Sequence, residues 1–347
     1  MEDFALEHIN DSRRTILITA QLADSWNDRI KEIAPDFTIE LRPWAKAADI
    51  PDELWENVEI LFTLGAFPTP EQAPNLRWVQ LYSAGANQAF TGPLAKSNAI
   101  ITTASGVHAV NIAEYVLTTM LTWFHRYHQF GSWKQEGHWP DEHGRDLFMP
   151  EELRGKTLNV VGYGSIGREV ARLAKSFGMR IIAMEQRPDH RDRGFLFPDI
   201  GDPEGKLPDH YYTKDQFQQA LAESDVVVAA VPLTPDTRGM FDATAFHAMK
   251  ESALFINIAR GDVCKEPDLI KALKEKEIAG AALDVFADEP LPDSSPFFGL
   301  PNVIMSPHIS GMTPHYNDRV AMIFTENLRR YLKGEPLYNT VNKERGY

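Results

Sequence analysis

The sequence predicts an α/β protein with two mostly parallel sheets, a larger doubly wound one and a smaller one in the first hundred residues. Three observations carry that prediction. Residues 158–184, LNVVGYGSIGREVARLAKSFGMRIIAM, read as strand, glycine turn, helix and strand. After residue 150 apolar runs and helical periodicities keep alternating, enough for roughly six or seven strands. The first hundred residues alternate in the same way but carry no glycine fingerprint.

The glycine stretch is the element around which the chain is organised. Leu158, Val160 and Val161 form a short apolar run, and Gly162, Gly164 and Gly167 then spell G-x-G-x-x-G. Val170, Leu173, Ala174 and Phe177 recur at helical spacing, and Gly178 suits a helix C-cap. The first glycine permits a tight turn, the second lets a pyrophosphate approach the backbone, and the third lets helix and strand pack closely. The helix N-terminus offers unpaired N–H groups to phosphates. Glu185, 18 residues after Gly167 (185 − 167), stands at the end of the second strand, where a carboxylate can bind ribose hydroxyls. Together these features point to a dinucleotide site.

The elements follow in order. Residues 15–20 and 37–41 read as strands around a helix at 22–34, and 59–64, 76–81 and 99–103 complete the first unit. A long helix at 110–127 is apolar on most faces, which suggests a buried, domain-spanning element. Residues 145–150 read as a loop. Residues 186–210 are rich in Pro, Gly, Asp and Arg and longer than an ordinary connection. A helix at 216–222, strands at 225–231 and 253–258, a helix at 267–275 and strands at 279–285 and 303–306 follow. An amphipathic helix at 316–332 ends at Gly334, and 340–347 reads as a tail laid on a neighbouring surface.

With 347 residues and 43% hydrophobic side chains, the chain is long enough for two soluble domains. A net charge of −14 argues against nucleic acid or an anionic membrane as partner, though a few arginines can still form an anion pocket. The single cysteine, Cys264, excludes an intrachain disulfide framework and a cysteine-based zinc site, and it reads as a packing residue. No metal site is expected. The N-terminal residues show no apolar signal core and no stretch approaches a membrane span, so a cytoplasmic protein is expected.

Three ionisable residues follow predicted strands: Arg260 after ALFINIA, Glu289 after AALDVF and His308 after VIMSP. In open α/β sheets ligands sit beyond the carboxyl ends of strands, so the three can meet in one crevice. A guanidinium binds a carboxylate through two parallel hydrogen bonds. A histidine can give or take the proton of an alcohol–ketone pair, and a carboxylate beside it favours the imidazolium. With a nicotinamide hydride, the natural reaction is interconversion of a 2-oxo acid and a 2-hydroxy acid.

These residues also carry a resemblance. GYGSIG, VPLTPDTRGMFD, NIARGDVCKEPDLIKAL, AALDVFADEPLP and SPHISGMTP, in that order between about residues 105 and 332, resemble the signatures of the D-isomer-specific 2-hydroxyacid dehydrogenases. The resemblance implies a Rossmann-type nucleotide domain at 110–309 and a smaller flavodoxin-like substrate domain made of 1–109 and 310–347. It casts Arg260 as substrate binder, Glu289 as partner of the histidine and His308 as acid/base. It assigns Ser165 and Ile166 to the pyrophosphate, Pro232, Ile258 and Ala259 to the cofactor wall, and Asp284 to the nicotinamide amide. Arg260 and His308 also border the cofactor. Ser83, Ala84, Gly85 and Ala86 match the loop whose backbone cradles the substrate carboxylate. The expected cofactor is NAD, with NADP possible, the substrate a small anionic 2-oxo or 2-hydroxy acid, and the assembly a homodimer.

Two features depart from the pattern. Members often have Asp where this chain has Glu185, and Arg187 or Arg191 could accept a 2′-phosphate; the 186–210 connection is also longer than usual. Two other activities fit the same residues. One is oxidation of another small anion, as in phosphite or formate dehydrogenases. The other is dinucleotide sensing without turnover, as in the C-terminal-binding corepressors.

Overall fold

The computed structural model describes residues 14–90, 92–137, 139, 141–146, 148–185, 191, 192 and 194–342. The chain divides into two compact units, with boundaries after Val107 and after Thr313. The first unit holds a five-stranded sheet of β1 (Thr15–Ile18), β2 (Thr38–Leu41), β3 (Val58–Thr63), β4 (Trp78–Leu81) and β5 (Ile100–Thr102). The second holds β6 (Thr157–Val161), β7 (Arg180–Met184), β8 (His210–Tyr212), β9 (Val226–Ala229), β10 (Leu254–Asn257), β11 (Gly280–Leu283) and β12 (Val303–Met305).

Every strand pair in the seven-stranded sheet is parallel, in the order β12-β11-β10-β9-β6-β7-β8. The order reverses at β6, which lies between β7 and β9, and that reversal is the switch point at which such sheets bind dinucleotides. Parallel sheets are covered on both faces, and the sequences show why this one is: Thr157–Val161, Val226–Ala229 and Leu254–Asn257 are buried at every position. Alternate residues feed two cores. Leu158, Val160, Val226, Val228 and Ile256 pack with Val116, Met120 and Phe124, from the helix Ala109–Phe124, and with Val170 and Ala174. Val161, Val227, Phe255 and Leu283 pack with Phe241, Phe246, Leu269 and Leu273 on the other face.

The five-stranded sheet, also parallel, runs β2-β1-β3-β4-β5, the flavodoxin order. The helix Tyr316–Leu332 belongs to this unit. Its Phe324 stacks on Phe62 and Trp78, with ring centroids 4.7 and 5.2 Å away. The tail follows the expectation as far as it is described: Val341 donates its N–H to the Ile101 carbonyl at 2.9 Å and is itself buried.

The structure departs from the sequence reading in four places. The helix expected over 110–127 stops at Phe124, and a second helix, Tyr127–Glu136, begins after Arg126, whose φ of 59° breaks the first. The segment at 145–150 starts inside a short helix, Glu142–Asp146. β8 emerges at the end of what reads as a loop. The helix Ala243–Ala248, capped by the Asp242 side chain accepting from the N–H groups of Thr244 and Ala245, carries too short an apolar pattern to be noticed. No helix among the described residues is long and apolar enough to cross a membrane.

Candidate active site

The glycine turn lies between β6 and the helix Ser165–Ser176. Gly162 has a φ of 103°, and a Cβ there would stand 2.6 Å from the Ala230 carbonyl oxygen, which follows β9. A Cβ at Gly167 would stand 2.4 Å from the Gly162 oxygen and 2.7 Å from a Val160 methyl. Both positions therefore exclude any side chain on steric grounds. Gly164 is different: nothing lies within 4 Å of where its Cβ would be. This exposed position is the N-cap of the helix and offers no side-chain acceptor to the first N–H groups. The turn thus leaves an open cradle lined by backbone donors, with Ser165 and Ile166 half-buried beside it. Such a cradle fits a pyrophosphate.

Glu185 follows β7 with its side chain 6% exposed, its carboxylate 3.4 Å from the buried Arg168 guanidinium. Arg187 lies outside the described residues, as do 186 and 188–190 of the long connection. Arg191, the other arginine considered for a 2′-phosphate, pairs with Glu204 at 3.3 Å. Ile258 and Ala259 are both buried just past β10, while Pro232 is exposed past β9, its carbonyl accepting from the Thr237 hydroxyl at 2.6 Å.

Arg260 follows immediately and is exposed, with Nη1 donating to the Ala259 carbonyl at 2.6 Å. Asn257 fixes this turn from both sides: its Nδ2 donates to the Arg260 carbonyl at 3.1 Å and its Oδ1 accepts from the Ala259 N–H at 3.1 Å. The backbone of Gly261 runs so close to Phe286 and Ala287 that a Cβ would fall 1.9 Å from the Phe286 carbonyl carbon. That contact sets the Arg260 turn directly against the segment bearing Glu289.

Glu289 and His308 form the central pair. Glu289 Oε2 lies 2.7 Å from His308 Nδ1, and Glu289 Oε1 accepts the Phe286 N–H at 2.9 Å. Burial pushes the Glu289 carboxyl upward, but the bonds from His308 and Phe286 and the charges of His308 and Arg260 together hold it below the usual carboxylate range. An ionised Glu289 can only accept, so Nδ1 carries the hydrogen of this bond. Nε2 is then the nitrogen left to face a substrate. His308 has a φ of 53°, an uncommon backbone for a non-glycine residue, and both side chains of the pair are accessible.

The strain at His308 is held by a network that the sequence reading did not find. Asp284, 1% exposed, accepts from the Ser306 hydroxyl at 2.6 Å and from the N–H groups of Ile309 and Ser310 at 2.9 and 3.0 Å. The Ser310 hydroxyl donates to it as well, and the Asp284 carbonyl accepts the His308 N–H at 2.9 Å. Asp284, which the resemblance assigns to the nicotinamide amide, takes four hydrogen bonds on its carboxylate from the histidine loop. The Tyr115 hydroxyl lies 2.7 Å from Ser306 Oγ, whose own hydrogen goes to Asp284, so the phenol is the donor. Burial pushes Tyr115 up to about 12, which keeps that hydrogen in place. Asn111 donates to the Ser310 carbonyl at 2.8 Å, and His108 Nδ1 lies 2.9 Å from the Gly311 carbonyl.

The structure therefore gathers Gly162, Gly164, Gly167, Glu185, Pro232, Ile258, Ala259, Arg260, Asp284, Glu289 and His308 at the carboxyl ends of β6, β7, β9, β10, β11 and β12 in one sheet. Ser83, Ala84, Gly85 and Ala86 belong to the other unit, just after β4. That loop is pinned by Ser83 Oγ donating to the Gly85 carbonyl at 2.7 Å, and by Gln88 Nε2 donating to Ser83 Oγ at 2.9 Å and to the Leu64 carbonyl at 3.1 Å.

The family model described as D-isomer specific 2-hydroxyacid dehydrogenase, NAD binding domain, matches residues 117–310. This chain belongs to that family. As a D-isomer-specific 2-hydroxyacid dehydrogenase it is an NAD(P)-dependent oxidoreductase, and the glycine cradle accords with that cofactor. Among its relatives, a protein named glyoxylate reductase from Thermococcus gammatolerans is 32% identical over 346 residues, covering 95% of this chain and 96% of that one. An (S)-sulfolactate dehydrogenase from Chromohalobacter salexigens is 32% identical over 259 residues, 75% of this chain and 78% of its own. Among solved structures, a family member from Xanthobacter autotrophicus Py2, described in complex with NADPH and MES, aligns with a TM-score of 0.76 at 26% identity, covering 96% of this chain and 99% of that one.

The residues missed in this dehydrogenase share one property. Tyr115, Asn111 and His108 act on a loop some two hundred residues away, at separations of 191, 199 and 203. The one local signal was Asn111 and Tyr115 at i and i+4, polar positions on one face of an otherwise apolar helix.

Proposed function

We propose that this enzyme reduces a small 2-oxo acid to the D-2-hydroxy acid, with His308 as the acid/base group, Glu289 as its partner and Arg260 as the substrate anchor. The single observation that carries the reading is the His308–Glu289 pair at 2.7 Å beside Arg260. The relatives named glyoxylate reductases support a small 2-oxo acid as substrate.

The bound nicotinamide supplies or accepts the hydride. Every other part of the reaction falls to the chain. The Arg260 guanidinium takes the substrate carboxylate and the neighbouring carbonyl oxygen in a forked geometry. As the carbonyl carbon gains hydride, the oxygen gains the proton from His308 Nε2; in the reverse direction Nε2 takes it back. Glu289 accepts the Nδ1–H and so keeps Nε2 turned to the substrate. Asp284 with Ser306, Ser310 and Tyr115 holds the loop that aims the ring. Glu185 takes the ribose hydroxyls, Ser165 and Ile166 offer backbone N–H groups to the pyrophosphate, and Pro232, Ile258 and Ala259 line the nicotinamide side. Ser83, Ala84, Gly85 and Ala86 supply backbone donors to the substrate carboxylate, and the enzyme acts as a homodimer.

The test is a panel of glyoxylate, hydroxypyruvate, pyruvate, phenylpyruvate and bulkier oxo acids, each with NADH and with NADPH. The reading expects turnover of at least one oxo acid to the D product. NADH binding without turnover on any member would overturn it.

A further inference from the structure

The largest side chain of the glycine turn, Tyr163, is buried behind it and bonded to the long connection that follows β7. We propose that Tyr163 and Asp202 are positioning residues for the cofactor: the bond between them braces the turn and so raises its affinity for a pyrophosphate. The proposal rests on the reading that this turn receives the pyrophosphate.

Tyr163 stands between Gly162 and Gly164 and is 2% exposed. Its hydroxyl donates to Asp202 Oδ2 at 2.7 Å. Burial and the Asp202 carboxylate push the phenol far above its ordinary range, so its hydrogen stays in that bond. The ring packs edge-on to Tyr211, with centroids 5.7 Å apart, and lies under the Arg168 guanidinium at 4.6 Å. Asp202 is buried and is itself fixed. Its Oδ1 accepts the Lys206 N–H and its Oδ2 the Leu207 N–H, each at 2.9 Å. The Gly205 N–H donates to the Asp202 carbonyl at 3.1 Å, and the Tyr211 hydroxyl donates to the Gly205 carbonyl at 2.9 Å.

This bend grips the nucleotide-binding element at three places. Arg168, fully buried, donates from Nη1 to the Asp202 carbonyl at 2.7 Å, and its Nε stands 3.5 Å from Asp192 Oδ2. Gly201 donates its N–H to Glu169 Oε2 at 2.7 Å. Arg168 and Glu169 belong to the helix Ser165–Ser176. Of the three, Tyr163 alone lies between the glycines.

A residue flanked by two glycines has a freely moving backbone on each side, and donors that must be ordered during binding weaken affinity. Contact restricts one side: Gly162 sits so close to the Ala230 carbonyl oxygen that a Cβ would be 2.6 Å away. The other side is open, with nothing within 4 Å of where a Gly164 Cβ would be. The Tyr163–Asp202 bond therefore holds the half of the turn that sterics leave loose. The backbone donors are ordered when the protein folds, before an anion arrives.

The experiment measures equilibrium dissociation constants without substrate, for NADH by fluorescence titration and for ADP-ribose and adenosine by competition against it. The proteins are the wild type, Tyr163→Phe, Asp202→Ala, the double variant and Gly164→Val. Tyr163→Phe keeps the ring and removes only the hydroxyl. It should weaken NADH and ADP-ribose about fivefold each, the scale of one net hydrogen bond. Adenosine, which has no phosphate, should keep its wild-type constant. The double variant should bind ADP-ribose no more weakly than Asp202→Ala, since both changes break the same bond. If ADP-ribose is unaffected by Tyr163→Phe, if adenosine weakens as much as ADP-ribose, or if the two substitutions add, the pair supports the fold at large and the proposal is overturned. Should Asp202→Ala fail to fold, the ADP-ribose and adenosine constants of Tyr163→Phe decide alone. Gly164→Val tests the underlying reading, because Gly164 has an extended backbone that a branched residue can adopt and the new side chain enters the open cradle. An unchanged ADP-ribose constant there overturns the pyrophosphate reading and this proposal with it. A weakened one beside an unchanged constant in Tyr163→Phe overturns the proposal alone.

Discussion

The glycine turn and the histidine loop sit on the same sheet and are built by opposite means. The turn is defined by side chains that are missing: at Gly162 and Gly167 a Cβ would collide with backbone 2.6 and 2.4 Å away. The loop is defined by side chains that converge. Asp284 collects Ser306, Ile309 and Ser310, while Tyr115 and Asn111 reach in from a helix early in the unit. The difference teaches that a backbone receptor for phosphates is a local steric property, whereas a poised acid/base group is a non-local network. The first should fail all at once when one atom is added. The second should fail in steps.

The sharpest way to probe the contrast removes the group the loop exists to present. His308→Gln should lower kcat by about a thousandfold in both directions, the scale of a lost general acid/base, with the NADH dissociation constant nearly unchanged. Stopped-flow rates together with NADH titration check it. If the rate survives, the proton comes from elsewhere and the loop has another purpose.

Gly167→Ala tests the steric half. The new methyl meets the Gly162 carbonyl and a Val160 methyl, so the turn must shift, at a cost of roughly 1–3 kcal/mol in stability. Urea unfolding gives that number, and NADH affinity should fall alongside it. A variant with wild-type stability and affinity would show that the turn has slack the structure does not display.

Glu289→Gln tests the electrostatic part of the loop. Glu289 is held below the usual carboxylate range in the folded protein, so it is ionised at neutrality and loses its charge only as pH falls through that lowered value. Replacing it by Gln removes the negative charge beside His308, so kcat/KM for reduction at neutrality should fall several-fold while the NADH dissociation constant stays nearly unchanged. The wild-type rate should also fall as the pH drops through the lowered Glu289 value, and the variant should lack that acid limb. The same acid limb in both proteins would make Glu289 a structural residue.

Tyr115→Phe is the mildest perturbation. It deletes one donor to Ser306 while Asp284 keeps its four bonds. Expected is a loss of about 1 kcal/mol, or roughly a fivefold fall in kcat, with no change in NADH affinity. If the loss equals that of His308→Gln, the loop is all-or-none and the contrast with the turn collapses.

The same contrast explains what was legible in the sequence. Gly162 and Gly167 announce themselves because a steric requirement leaves only one residue type, Gly164 completes the spacing between them, and Glu185 follows at a fixed distance. That Arg260, Glu289 and His308 lie beyond strand ends was legible because an apolar strand precedes each by a short loop. The strands Val226–Ala229 and Leu254–Asn257 were legible because burial on both faces makes them continuously apolar. The bonds that Asp284 makes to the histidine loop were not legible, since nothing in DVF indicates which backbone N–H groups will converge on it. β8 was not seen because a three-residue edge strand, HYY, has too short a pattern to stand out from a polar connection. The pairing of Arg168 with Asp192 was equally invisible, as it depends on how that connection folds back over the helix.

The two units also differ in the order in which a ribosome can deliver them. The seven-stranded unit is continuous in sequence, so all of its strands are available once Thr313 has been made. The five-stranded unit is not. Phe62 and Trp78 are flat aromatic faces until Phe324 arrives to stack on them, and β5 keeps an open side until Val341 hydrogen-bonds to Ile101. For more than two hundred residues of synthesis, the earlier-made strands hold an incomplete apolar sheet (Trp78 and Phe324 are 246 residues apart, 324 − 78). The polypeptide therefore finishes its nucleotide-binding unit while the earlier-made sheet still waits for its last helix, and truncation just before residue 316 should leave the former intact and the latter dependent on chaperones.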